Sequence, residues 1–134
     1  MSHWKYNGTI LETPPEGCFG FVYEVISKIS NKRYIGRKYF GKTRRIKPLK
    51  GRVNKRVIRS ESDWKTYYGS ADIIKNDPDK SHYERYLLKL CKSSKELTYF
   101  ELKYLCVYEV LEKPDLFINS NILGKIFTKD LQHD

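Results

Sequence analysis

The sequence predicts a small α/β domain, and three observations lead there. The chain has 134 residues of which 40% are hydrophobic, enough for one compact core and not for two. Three segments are rich in aromatic and β-branched residues or alternate as strands do. Two others carry helical start signals, and the later one also repeats its apolar residues at helical spacing. The expected division is an N-terminal arm over residues 1–18 and one domain over 19–134.

In the arm, Trp4, Tyr6, Ile10 and Leu11 are candidates to dock on the domain, and Asn7-Gly8 and Pro14-Pro15-Glu16-Gly17 punctuate it. Phe19 to Ile29 reads as the first strand, Ser30-Asn31 as a tight turn, and Arg33 to Arg37 as the second strand. Residues 37–60 follow as a long basic loop, interrupted by Pro48 and Gly51, with short helical or extended pieces. Glu61 to Ser70 is a compact turn region, from which Ser70 caps a short helix, Ala71 to Asn76, ended by Asp77-Pro78-Asp79. His82 to Cys91 alternates as a third strand. Ser93 or Ser94 starts the main helix. Leu97, Phe100, Tyr104, Val107 and Leu111 form its buried stripe, and Pro114 stops it.

Charge is the most uneven property of the chain. The net charge is +10, and half of the 26 Lys and Arg fall between Lys32 and Arg59, where there is no Asp or Glu. The remaining half face all 16 acids, so the positive charge is local, as on a polyanion-binding surface. No apolar run or basic amphipathic helix marks a membrane partner. Cys18, Cys91 and Cys106 are odd in number and widely spaced, and His3, His82 and His133 are scattered. That pattern excludes a zinc cluster and a disulfide framework and points to reduced thiols in a cytosolic protein.

Tyr23 and Tyr34 are the most informative pair. They lie on the two strands of a short hairpin, where side chains on one face come together. Two paired phenols beside a purely cationic stretch point to a phosphodiester site.

Gly20-Phe21-Val22-Tyr23, Lys32-Arg33-Tyr34-Ile35-Gly36, Arg44, Glu101 and Asn119 together resemble the GIY-YIG nuclease family. The stretches Tyr34 to Phe40 and Asp63 to Ser70 look like a phage-encoded, homing-endonuclease-like branch of it. Phe21-Val22-Tyr23 stands where the family has Gly-Ile-Tyr. The DNA-binding domain that homing members append has no counterpart in these residues. The resemblance implies a three-stranded antiparallel sheet flanked by helices and hydrolysis of DNA with one divalent cation, Mg²⁺ or Mn²⁺. It implies Glu101 as the metal ligand, Arg44 as the phosphate clamp, eight residues after Gly36, with Arg45 as its neighbour and rival, and Asn119 as an orienting residue with Asn121 as competitor.

Elementary chemistry supports such a division of labour. Water is a weak nucleophile at neutral pH, so the site needs a base, a cation on the phosphate oxygens and a guanidinium on the developing charge. A carboxylate suits a hard cation, and a guanidinium fork fits phosphate better than an ammonium does. Tyr23 is the expected base and Tyr34 its helper. Nearby Lys38 or Arg37 would favour the phenolate. Arg37, Lys42, Arg45, Lys47, Lys50, Arg52, Lys55, Arg56 and Arg59 are expected DNA-backbone contacts. The expectation is a DNA endonuclease working by direct attack of water. A non-catalytic nucleic-acid-binding module is the competing reading. One domain holds one such site, so a double-strand cut would need a homodimer on DNA or two successive nicks.

Overall fold

The computed structural model describes residues 3–46, 51 and 56–131, without the side chains of 43–46 and 56–59. In chain order the elements are β1 (Trp4–Tyr6), β2 (Thr9–Ile10), β3 (Gly20–Ser27), β4 (Arg33–Tyr39), β5 (Gly41–Ile46), β6 (Arg56–Glu61) and α1 (Asp72–Lys75). They continue with β7 (Tyr83–Cys91), α2 (Ser94–Val107), β8 (Asn121–Ile122), β9 (Ile126–Phe127) and a 3₁₀ turn at Thr128–Leu131.

The three expected strands are β3, β4 and β7, and they pair antiparallel in the order β7-β3-β4. The sheet is larger than expected, however, and mixed. It has five strands in the order β2-β1-β7-β3-β4, because the N-terminal segment adds a hairpin. Asn7 and Gly8, both at positive φ, turn the chain from β1 into β2, and β1 then lies parallel to β7 with Trp4 opposite Arg85. Trp4 is the anchor. Its ring is buried against Phe21 and Tyr23, and its indole N–H donates to the Trp64 carbonyl at 2.6 Å.

Both faces of the sheet are covered. Phe21, Tyr23, Val25, Phe40, Trp64 and Leu87 belong to one core, and Val22, Ile35, Cys91, Leu97, Leu105 and Phe117 to the other. Residues of β3 therefore alternate between two apolar layers, which explains a strand that is apolar on both faces. At the step Val22/Tyr23 the pairing with β7 slips by one residue, a bulge beside the first tyrosine.

The basic loop proves to contain regular structure. β5 and β6 pair antiparallel from Gly41↔Glu61 to Ile46↔Arg56, so the segment is a two-stranded ribbon set on the end of the domain. Arg44 and Arg45 lie on β5, and Arg56 and Arg59 on β6. Lys47, Lys50, Arg52 and Lys55 lie outside the described residues.

Two helical expectations are also corrected. Ser70 does not cap α1: Ala71 is the N-cap, without a side-chain bond, and the Ser70 hydroxyl is engaged by Tyr34. α2 ends at Val107, well before Pro114, where Tyr108 and then Glu109 at φ 55° turn the chain. Its buried residues are Leu97 and Leu105, while Val107 is exposed and Leu111 is buried beyond the helix. The start is as expected, with the Ser93 hydroxyl accepting from the Glu96 amide at 3.1 Å. The three cysteines are separate thiols.

β4 is the outer strand of the sheet, and residues 116–119 cover its free edge. Arg33 N–H donates to Leu116 O, and Ile118 N–H donates to Arg33 O. Asn119 completes the cover with its side chain, as described below. An edge strand is thereby satisfied without a further strand.

Candidate active site

The site is built across the outer strand β4. Tyr34 and Gly36 project to one face of the sheet, and Ile35 and Arg37 to the other. α2 lies over the second face and brings Glu101 down to Arg37. A cleft of about 640 Å³ opens at this edge. Tyr34, Arg37, Glu101 and Asn119 line it, together with Ser70, Asp72 and Ile73 from the α1 region and Asn121 and Leu123 from β8 and its turn.

Tyr23 faces Gly36 across the hairpin, and Tyr34 lies diagonal to it on the same face, ring centres 6.2 Å apart. The phenols meet as expected, and glycine makes this possible. A methyl group on Gly36 would sit 2.5 Å from the Tyr23 hydroxyl oxygen, and one on Gly69 would crowd the Tyr34 ring at 3.2 Å. Gly69 also stands at φ 114°, where a side chain is strained. The two tyrosines differ in access. Tyr23 is 1% exposed, and its hydroxyl bonds with that of Tyr67. Tyr34 lines the cleft and shares a 2.9 Å hydrogen bond with the Ser70 hydroxyl.

The expected electrostatics of the phenols are reversed. Burial pushes the Tyr23 hydroxyl well above the ordinary phenol range, and the neighbouring Tyr67, Tyr34 and Glu101 push it the same way. Burial also raises Tyr34, opposed by its hydrogen bond from Ser70. No cation among the described residues favours the phenolate of either. Lys38 is held by Asp63 at 2.6 Å and lies 4.0 Å from the Tyr67 ring centre, away from the cleft lining. Arg37 is committed to Glu101 at 3.5 Å and donates to the Thr98 hydroxyl at 2.5 Å.

Glu101 is mostly buried, and that burial raises its carboxyl above the ordinary glutamate value, with Arg37 pulling the other way. Asp72 is the other acid lining the cleft among the described residues. Among the described residues no group of three or more His, Cys, Asp and Glu forms a metal cluster. Carboxylates in an open cleft lined by no His or Cys among the described residues make a poor zinc site. It suits a hard cation that keeps most of its water and takes further oxygens from a phosphate.

Asn119 lines the cleft and is tied to the strand beside it. Its amide is buried and spans the backbone of Ile35, accepting from the N–H at 2.9 Å and donating to the carbonyl at 2.8 Å. It holds β4 at the point where the strand passes from Tyr34 to Gly36. Asn119→Ala should therefore destabilise the fold by about 1–3 kcal/mol, since a buried N–H and C=O lose their partners. Thermal unfolding checks this, and an unchanged Tm would contradict it. Asn121 accepts from the Gly124 amide instead.

Lys42 is exposed on β5, at the root of the basic ribbon. Among the described residues Arg37 is the guanidinium beside Glu101, and the side chains of Arg44 and Arg45 lie outside them. The sequence gives Arg37 a backbone contact and a share in favouring the phenolate, Ser70 only a helix cap and Asp72 no role. An arginine two positions beyond Ile35 shares that residue's face of β4, and this periodicity was the available signal for Arg37. Ser70 and Asp72 reach the cleft through the turn that follows Gly69, and sequence spacing carries no signal for that.

A tyrosine pair packed over glycine on an antiparallel hairpin, with a helix-borne glutamate at the strand edge, defines a domain of the GIY-YIG class. The family model described as "Putative endonuclease segE, GIY-YIG domain" matches residues 4–122, and the chain belongs to that family. The match begins at Trp4, so it includes the N-terminal hairpin as well as the tyrosine strands. Comparison with curated proteins and with solved structures gave no match.

Proposed function

We propose that this protein is a metal-dependent DNA endonuclease, of phage or mobile-element origin, that hydrolyses phosphodiester bonds by direct attack of water. The observation that carries the reading is the Arg37–Glu101 pair at 3.5 Å in a cleft that Tyr34 also lines. A guanidinium, a carboxylate and a phenol in one cleft are the groups such a reaction needs. A pure binding module has no use for a half-buried carboxylate facing a polyanion. The basic ribbon supports DNA as the partner, because a cationic stretch free of acids follows the phosphate backbone.

Glu101 would hold the cation, Mg²⁺ or Mn²⁺, with the scissile phosphate and water completing its shell. When bound, the cation would supply positive charge at the phosphate oxygens and favour ionised groups beside it. Arg37 leaves Glu101 for a phosphate oxygen and steadies the charge that builds there. Tyr34, the phenol that faces the cleft, first gives up its own proton to solvent, and as the phenolate it orients the attacking water and takes its proton. Tyr23 and Tyr67 stand behind and fix the ring. The new P–O bond forms as the bond to the leaving sugar oxygen breaks, and that oxygen takes a proton from solvent. The assignment of the base to Tyr34 rather than Tyr23 follows from access.

The test separates catalysis from binding. With labelled duplex and Mg²⁺, wild-type protein should cut, and Arg37→Ala should lose turnover with DNA affinity nearly unchanged. Arg56→Ala should keep turnover at saturating protein while its salt dependence of binding flattens by roughly one phosphate. Arg37 and Arg56 behaving alike would reduce Arg37 to another backbone contact.

A further inference from the structure

The lips of the cleft have the wrong chemistry for a site that receives only phosphates. Ile73 on α1 is 65% exposed and Leu123, in the turn between β8 and β9, is 47% exposed. Both line the same cleft as Glu101 and Arg37. Each is two residues along the chain from an exposed lysine, Lys75 and Lys125, and neither lysine lines the cleft. An isolated exposed aliphatic needs no explanation. Two of them lining the one polar cleft that also holds Arg37 form a pattern that a polyanion with an apolar interior would match.

The backbone at Leu123 strengthens the point. Leu123 stands at φ 57° and Gly124 at φ 66°, and Lys125 N–H donates to Ile122 O at 3.0 Å. Both central residues of this tight turn are therefore left-handed, a geometry that favours Asn-Gly. The same chain uses Asn7-Gly8, at φ 50° and 80°, for the turn between β1 and β2. A leucine in that first position is strained, because its Cβ crowds the following carbonyl. Nothing in the core repays the strain, since the side chain stands half in water at the lip. Strain held at a functional site is a reason to ask what the side chain does there.

We propose that Ile73 and Leu123 are an apolar clamp that enters the DNA base stack beside the scissile phosphate. The proposal rests on the reading of the cleft as a DNA-cutting site and adds how the DNA is bent into it. Aliphatic wedges kink a duplex by partly unstacking one step. The clamp gives the enzyme a sequence preference without base hydrogen bonds. Flexible pyrimidine–purine steps such as TA and CA unstack most easily and should be cut best.

The experiment maps the wild-type cut on plasmid DNA, then places 2-aminopurine at the flanking steps of a duplex and reads its fluorescence in chelator. Wild-type binding should raise the signal several-fold at one step, Leu123→Asn should remove that rise, and Ile73→Gln should reduce it. Leu123→Asn should also lose at least ~10-fold of the preference for TA over GC steps, because unstacking no longer contributes. At the same time its Tm should rise by roughly 3 °C, since asparagine suits the left-handed turn. Opposite signs for stability and for DNA distortion are what a merely structural leucine cannot give. A wild type that binds and cuts without a 2-aminopurine signal sinks the clamp and leaves the nuclease reading standing. A Leu123→Asn protein with unchanged distortion but an altered oligomeric state assigns the lip to a protein partner and also overturns the clamp. A wild type that neither binds nor cuts DNA removes the clamp together with the reading it rests on.

Discussion

Glu101→Gln should lower DNA cleavage by at least ~10²-fold, because the variant keeps the shape and loses the charge that holds the cation. DNA affinity in chelator should hardly change. The fold should survive, and for a stated reason. Burial raises the Glu101 carboxyl, so the folded state binds its proton more tightly than the unfolded chain does. Its charge at neutral pH therefore works against folding, and a neutral glutamine removes that opposition. Tm should stay close to the wild-type value or rise. A bound cation favours the ionised carboxylate, so the acid limb of the pH–rate profile should move to lower pH as Mg²⁺ is raised. A limb that does not move with Mg²⁺ would place the essential carboxylate elsewhere, and Asp72, on the same cleft, would be the next choice.

Tyr34→Phe should cost ~10²–10⁴-fold in rate with little loss of binding, the usual range for removal of a general acid or base. Burial keeps the Tyr34 phenol protonated at neutral pH, so the wild-type rate should climb with pH on the alkaline side. The variant should lose that climb. Tyr23→Phe is the control. Its hydroxyl bonds to Tyr67 rather than facing the cleft, so it should cost less in rate than Tyr34→Phe at neutral pH. Both phenols have raised values, so the protonated forms favour the folded state. That contribution is complete below the unfolded phenol value near 10 and is lost as pH rises beyond it. Tyr23→Phe should accordingly resist alkaline unfolding better than wild type. If instead Tyr23→Phe proved the more damaging to rate, Tyr23 would be the base and the cleft would have to open around it.

The parts of the fold legible in the sequence are those where one residue type admits one explanation. Phe21-Val22-Tyr23 and Tyr34-Ile35-Gly36 carry the pleat of two paired strands, and Ser93 with Glu96 marks the start of α2. The basic ribbon was not legible because β5 and β6 pair only with each other, apart from the main sheet. β5 is half Lys and Arg and neither strand alternates apolar with polar residues, so the usual strand pattern is missing. The N-terminal hairpin did have a signal in Asn7-Gly8, but strands of three and two residues are too short to show alternation. The end of α2 escaped because the chain turns at Glu109 in a left-handed conformation that glutamate does not advertise. At the site, Tyr23, Tyr34 and Glu101 could be named from the sequence, but their environments could not. Which phenol meets the cleft depends on the bulge at Val22/Tyr23 and on the turn carrying Gly69 and Ser70. Both are products of packing over many residues.

The most direct measurement is conversion of supercoiled plasmid by purified wild-type protein and by Glu101→Gln, each with Mg²⁺ and with excess chelator. Nicked or linear DNA should form only with wild type and Mg²⁺, while both proteins retard the plasmid equally in chelator. Cutting by Glu101→Gln at the wild-type rate, or equal cutting in chelator, would contradict the account.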